Sequence, residues 1–359
     1  MQNFHCEQCG RLAFFENFEC VQCASLLGLV PQTFALATFK ADGDAWLRLG
    51  PAGGRYRQCY NYATMQVCNG MLAVDDDNSL CRSCRFTELI PSLDKAENRS
   101  YWFRLELAKR RLLQALVRLN LPLVARLDDT QTGLSFRFAE SMPNAQQAYL
   151  RRLITGHNEG VITINLAEAD DAERERIRSR LGEPYRTLLG HMRHESGHYY
   201  WMRLIEYSPL RDDFRHLFGS EEAPYARALE HYYRNGAPAR WSDRFISAYC
   251  AAHPWEDWAE TWAHYLHIED AVDTARACGF ALMPDVTTDP HLDSRLGTHR
   301  PSDFADMLRR WYAISYALNS LNRSLGLSDA YPFAYASRVI EKLSFIDRVV
   351  HEARARKSW

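Results

Sequence analysis

Met192-Arg193-His194-Glu195-Ser196-Gly197-His198-Tyr199-Tyr200-Trp201 sets His-Glu-x-x-His inside a stretch of helical periodicity. Residues four apart on a helix share a face, so His194 and His198 can offer imidazole nitrogens to one metal ion. Glu195 then stands beside that ion. The pattern suits zinc, which brings the pKa of a bound water toward neutrality while a neighbouring carboxylate takes its proton during attack on a carbonyl.

Two histidines leave zinc short of protein ligands, so a third is expected further along the chain. Ala248-Tyr249-Cys250-Ala251-Ala252-His253-Pro254-Trp255-Glu256-Asp257-Trp258-Ala259-Glu260-Thr261-Trp262-Ala263-His264 is the segment that offers one. Pro254 fits the first turn of a helix, where its missing N–H leaves no bond unmade. Beyond it Glu256, Glu260, His264 and His267 fall at offsets of 0, 4, 8 and 11 and form one polar stripe, while Trp255, Trp258 and Trp262 take other faces. Charges on so aromatic a helix must meet solvent, a partner or a metal. Glu256, Asp257 and Glu260 are the carboxylates on offer.

The chain has 359 residues, enough for roughly two domains and a sizeable core. With 47% hydrophobic and 25% charged residues and a formal net charge of -2, its composition is that of an ordinary globular protein. That balance argues against a bulk electrostatic commitment to nucleic acid or to an anionic membrane. Met1-Gln2-Asn3-Phe4-His5-Cys6 shows no secretory pattern, and the apolar run Leu26 to Phe39 is broken by Pro31, Gln32, Thr33 and Thr38. The expected compartment is the cytoplasm, with no membrane partner. There, cysteines serve as thiolate ligands rather than as disulfides.

Eight of the ten cysteines lie before residue 85. Cys6-x-x-Cys9 and Cys20-x-x-Cys23 have the spacing of a compact zinc ribbon, two close thiolate pairs making a tetrahedral set. Cys59, Cys68, Cys81 and Cys84 form a looser second group that ends in Cys-x-x-Cys. Four cysteines close a coordination sphere, so both zinc ions would be structural. Cys250 and Cys278 read as ordinary buried thiols.

From Asp94 to Asn120 the periodicity predicts a long amphipathic linking helix, with Leu105, Leu112, Leu113, Leu116 and Leu119 apolar and Lys109, Arg110, Arg111 and Arg118 solvated. Short strands are expected at 123–125, 134–138 and 160–165. Helices are expected near 170–181, 186–206, 222–235, 241–251, 254–277, 302–324 and 335–355. His191, one turn before His194, reads as the edge of a packed face.

Tyr249 lies seven residues before Glu256, and with Glu256-x-x-x-Glu260 it resembles the zincins whose third ligand is a glutamate on a later helix. The arrangement is similar to the catalytic domain of anthrax lethal factor and to clostridial proline-specific endopeptidases. That resemblance implies that Glu256 completes the zinc site, that Glu260 orients a ligand, and that Tyr249 donates to the oxyanion of the tetrahedral intermediate. His264 and His267, which extend the glutamate stripe, read as standing no closer than behind the ligands, where they would contact substrate or hold Glu260. Over nearly its full length, through His191-x-x-His194-Glu195-x-Gly197-His198-Tyr199-Tyr200-Trp201 and His253 to His264, the chain resembles the bacterial family of zinc-binding metallopeptidases with an N-terminal zinc ribbon.

The fold expected is α+β: a small cysteine-rich zinc-ribbon domain at 1–93 with two four-cysteine zinc sites, a linking helix at 94–121, and a mostly helical, zincin-like, gluzincin-type peptidase domain at 122–359. One catalytic and two structural zinc ions are expected, with a protein or peptide substrate whose peptide or isopeptide bond is hydrolysed. Specificity would reside in loops such as 285–301. The rival reading is an interaction module whose ribbons bind protein or nucleic acid beside a vestigial or recruitment-dependent peptidase site.

Overall fold

Cysteines and short strands, not helices, build the start of the chain. The computed structural model describes residues 3–140, 155–181, 183–280, 282 and 301–356, so the loop 285–301 lies outside the described residues except for Pro301. Backbone proximity groups residues 2–182 with 186–192 in a first unit and residues 183–185 with 193–359 in a second.

In the first unit β1 (Phe4–His5) and β2 (Leu12–Ala13) form an antiparallel hairpin whose turn carries Cys6 and Cys9. Gly10, at φ +74°, donates its N–H to Cys6 O at 2.8 Å, and Cys6 N–H reaches Arg11 O at 2.8 Å. The second knuckle repeats this geometry: Ala24 at φ +54° donates to Cys20 O, and Cys20 to Ser25 O, both at 2.9 Å. Each Cys-x-x-Cys is thus a tight turn closed by a left-handed residue, a conformation that is easy for glycine and strained for alanine.

Strands β3 (Leu26–Leu29), β4 (Leu36–Asp42), β5 (Ala45–Arg48), β6 (Arg55–Gln58) and β7 (Met71–Ala73) then run as an antiparallel meander in sequence order. The sequence reading contains none of them: β3, β5, β6 and β7 have three or four residues, too few alternations to detect, and the longer β4 buries Leu36 to Phe39 in succession without alternating. Cys59, Cys68, Cys81 and Cys84 pack with Val30, Ala37, Phe39, Tyr62, Met71 and Leu72, so the second cysteine group belongs to the hydrophobic core.

β8 (Thr87–Leu89) leads into α1 (Ala96–Arg118), followed by β9 (Ser135–Ala139), β10 (Gly156–Asn158), β11 (Val161–Asn165) and α2 (Asp171–Leu181). Their sheet has the order β10-β11-β9-β8, with β9 parallel to both neighbours and β10 antiparallel to β11. The strand expected at 123–125 reduces to a single bridge, Ala125 to Leu134. The basic run on α1 is not a solvated face either. Lys109 and Arg110 are fully buried; Lys109 Nζ pairs with Glu106 Oε2 at 2.8 Å and with the Thr87 hydroxyl, and Arg110 donates to Asn69 Oδ1. Burial of these charges is offset by partners that sequence periodicity cannot reveal.

The helix α3 (Leu188–Leu204) contributes residues to both units. In the second unit its later turns accompany α4 (Arg211–Phe218), α5 (Tyr225–Asn235), α6 (Pro254–Ala277), α7 (Phe304–Ser324) and α8 (Ser337–Ala355). The expected helix at 241–251 breaks into two 3-10 turns, Trp241–Asp243 and Ala248–Ala252, because Arg244 leaves helical geometry at φ -128° and Ser247 is extended. Cys250 is buried, whereas Cys278 is exposed at the end of α6, contrary to expectation.

α6 is the central rod, in contact with α4, α7 and α8. His253 caps it, its Nδ1 accepting from Trp255 N–H at 3.1 Å ahead of Pro254. Trp258 and Trp262 stack at 5.8 Å between ring centroids, with Tyr200 on Trp262 at 4.9 Å. Each tryptophan also spends its N–H on α3, Trp258 on Gly197 O at 2.8 Å and Trp262 on Ser196 Oγ at 3.2 Å. A Cβ at Gly197 would lie 2.8 Å from Ala259 Cα, so only glycine lets the two helices come this close. The chain is therefore α+β, a cysteine-rich beginning followed by a mostly helical remainder.

Candidate metal centre

The contact between α3 and α6 sets the histidines of one against the carboxylates of the other. One ligand atom from each of His194, His198 and Glu256 lies within 4.8 Å of the others. His194 Nε2 is 3.1 Å from Glu256 Oε2, and His198 Nε2 is 3.6 Å from Glu256 Oε1. His194 and Glu256 are buried and His198 half-buried.

Behind these atoms stands a supporting layer. Glu260, one turn after Glu256, holds His194 Nδ1 at 2.7 Å through Oε1 and accepts the Ser247 hydroxyl at 2.9 Å through Oε2. The extended backbone at Ser247, the same break that ends the expected 241–251 helix, precedes the turn that carries Tyr249. With Nδ1 occupied by a carboxylate, the His194 Nε2 lone pair is left for a metal.

The electrostatics follow from burial and pairing. Burial alone would lower the pKa of His194, but Glu256 and Glu260 overcome it and hold the imidazole well above its ordinary value. Burial would raise Glu260, yet the contact with His194 draws it down to about 2. Glu256 is likewise held far below the carboxylate range, burial being outweighed by His198 and His194. Glu195 behaves differently. Burial raises its pKa, and the nearby imidazoles offset only part of that rise.

Two buried oxygens are left over. Glu195 Oε2 and Glu256 Oε2 accept no hydrogen bond among the described residues. Buried carboxylate oxygens are ordinarily satisfied, and an orphan pair next to two imidazoles is the arrangement a cation would complete. Two nitrogens and one carboxylate are the donor set of a zinc site that keeps a position open.

The other acidic and aromatic candidates are also placed. Asp257 does not join the cluster, its Oδ2 lying 2.6 Å from Lys342 Nζ. The Tyr249 ring is 6.1 Å from that of His194, and burial keeps its hydroxyl protonated far above the usual range. Tyr225, absent from the sequence reading, donates its hydroxyl to Glu256 Oε1 at 2.5 Å. No signal marks it: it opens α5, 31 residues from its partner. His264 bonds through Nδ1 to the Tyr331 hydroxyl and not to Glu260. His267 packs among Tyr185, Trp311 and Tyr331. His191 lies 3.5 Å from Glu168 rather than in the cluster.

The cysteines gather into the two expected groups. Cys6, Cys9, Cys20 and Cys23 have sulfurs within 4.8 Å of one another, as do Cys59, Cys68, Cys81 and Cys84. Cys6 and Cys23, and Cys9 and Cys20, are 3.6 Å apart. Four thiolates around a tetrahedral zinc at about 2.3 Å would stand roughly 3.8 Å apart. The first group is half exposed at Cys9 and Cys23, whereas the second is buried throughout. Cys59 Sγ in the second accepts the Cys81 N–H at 3.2 Å.

Residues 98–349 match a family model described as "Putative zinc-binding metallo-peptidase", and residues 3–95 match a zinc-ribbon domain. Proteins named as uncharacterized from Mycobacterium tuberculosis (strain ATCC 25618 / H37Rv) and Mycobacterium bovis (strain ATCC BAA-935 / AF2122/97) are each 42% identical over 353 residues. The match covers 98% of this chain and 96% of theirs. No solved structure matches. Among the described residues no helix is long and apolar enough to cross a membrane. The chain belongs to the zinc-binding metallo-peptidase family and carries a zinc ribbon before its peptidase segment.

Proposed function

We propose that this protein is a zinc-dependent hydrolase of peptide or isopeptide bonds, of the gluzincin kind, with His194, His198 and Glu256 as zinc ligands and Glu195 as general base. The observation that carries this reading is the orphaned, buried Glu195 oxygen beside a cluster of two imidazoles and a carboxylate. Zinc at these ligands would supply a Lewis acid that acidifies a water and polarises the scissile carbonyl.

The chain's own groups do the rest. Glu195 takes the proton of the attacking water and returns it to the leaving amine. Glu260, anchored by Ser247, keeps His194 in the tautomer that leaves Nε2 free to bind. Tyr225 occupies Glu256 Oε1 and leaves Oε2 as the oxygen for the metal. Tyr249 keeps its proton and can donate it in a hydrogen bond to the developing oxyanion.

In this reading residues 1–93 are a ribbon module with two structural zinc ions, 94–121 a linking helix and 122–359 the catalytic domain. Leu12, Phe14 and Val21, exposed on the ribbon, favour a docking role in which it recruits the substrate protein. The thiolate clusters suit a reducing compartment, and we assign the protein to the cytoplasm.

The test is Glu195→Gln assayed on a proteome-derived peptide library together with metal analysis. Zinc content should be unchanged while cleavage falls about 10²- to 10⁴-fold, the usual weight of a general base. Cleavage at the wild-type rate would overturn the mechanism.

A further inference from the structure

Tyr225, whose hydroxyl holds Glu256 Oε1, itself needs a support. No residue of α5 is buried and Tyr225 is 37% exposed, so burial does not fix its hydroxyl 2.5 Å from the carboxylate. The residue placed to do so is His253, three positions before Glu256 and 2% exposed.

Both ring nitrogens of His253 are spent on backbone groups. Nδ1 accepts the Trp255 N–H at 3.1 Å, and Nε2 lies 3.0 Å from the Ala223 carbonyl oxygen. An amide N–H only donates and a carbonyl only accepts, so a single state satisfies both contacts: a neutral imidazole with its proton on Nε2. Burial lowers the pKa of the ring, in keeping with that neutral state. Tyr225 packs edge-on against it at 5.0 Å between centroids, and Trp255 lies at 5.5 Å.

The two bonds lead to Glu256 and to Tyr225 by separate routes. Nδ1 fixes the first turn of α6, in which Glu256 is the third residue. Nε2 holds the Ala223 carbonyl, which orients a planar peptide unit, and the Pro224 ring then locks the next dihedral at φ -62°. Only the ψ of Pro224 separates that anchored carbonyl from the Tyr225 Cα. From there the phenol returns to Glu256 Oε1, and the circuit closes. Resting on the peptidase reading above, we propose that His253 is a positioning residue for the metal centre, whose Nε2–H tie to Ala223 sets the Tyr225 hydroxyl on Glu256 and so selects the carboxylate oxygen that meets the metal. It acts through Tyr225 and not on the metal.

The experiment uses the full-length protein and reads two quantities: the midpoint of thermal unfolding, and the zinc affinity of the open site by competition with a chelating dye. His253→Asn keeps an oxygen for the Trp255 N–H, asparagine being a preferred helix cap, but has no donor that reaches Ala223. It should unfold as the wild type does and bind zinc about tenfold more weakly, the low end of what an outer support contributes. His253→Gln, whose amide N–H falls near the Nε2 position, should do the reverse, keeping the affinity and losing the cap. Tyr225→Phe should match His253→Asn, and the two together should weaken zinc no further, since they break one linkage. Wild-type affinity in His253→Asn, or losses that add in the double variant, overturns the proposal while the peptidase reading stands. A wild type that holds zinc only at its cysteine clusters overturns both.

Discussion

The thiolate clusters of the first unit and the His194, His198 and Glu256 cluster of the second follow opposite rules. Each cysteine group supplies four sulfurs that face one another within 4.8 Å. The histidine cluster supplies three ligand atoms and keeps beside them the Glu195 carboxylate, whose Oε2 accepts no hydrogen bond among the described residues. A set that is closed can only stabilise; a set left short by one ligand, with a base alongside, can do chemistry. Investment in support differs too. The open cluster is braced by hydrogen bonds between Glu260 and His194, from Ser247 to Glu260 and from Tyr225 to Glu256.

The largest effect should separate the two closed sites from each other. Cys68 is fully buried within the meander core, so Cys68→Ser should lose the fold of the first unit, a cost of several kcal/mol, seen as a collapsed urea transition. Cys9→Ser, at the exposed knuckle, should release its zinc and fray β1 and β2 while the main transition stays in place. Equal damage from both variants would break that distinction.

A smaller effect concerns the brace on the open site. Glu260→Gln should weaken zinc binding there about 10- to 100-fold and leave the cysteine sites untouched, as competition with a chelating dye would report. Unchanged affinity would mean that the 2.7 Å contact to His194 is incidental.

Much of this comparison was legible in the sequence, for a physical reason. His194, His198, Glu256 and Glu260 sit on two long helices whose period fixes which residues share a face, and the Cys-x-x-Cys knuckles are local turns. What was illegible depends on partners far along the chain. Tyr225 reaches Glu256 from 31 residues away and Tyr331 reaches His264 from 67. Lys109 and Arg110 look solvated until Glu106, Thr87 and Asn69 close around them. α4 escaped notice because eight residues give barely two helical turns. Four of the five meander strands failed for the same reason of length, and β4 because its first four residues are all buried and do not alternate.

A zinc count bears most directly on the contrast between closed and open sites. Emission spectroscopy of the purified wild type should give three zinc ions per chain, one for each cluster of ligand atoms. The double variant His194→Ala/His198→Ala should give two, with its far-ultraviolet circular dichroism unchanged. An equal count in the two proteins would contradict the assignment of the third zinc to the open site.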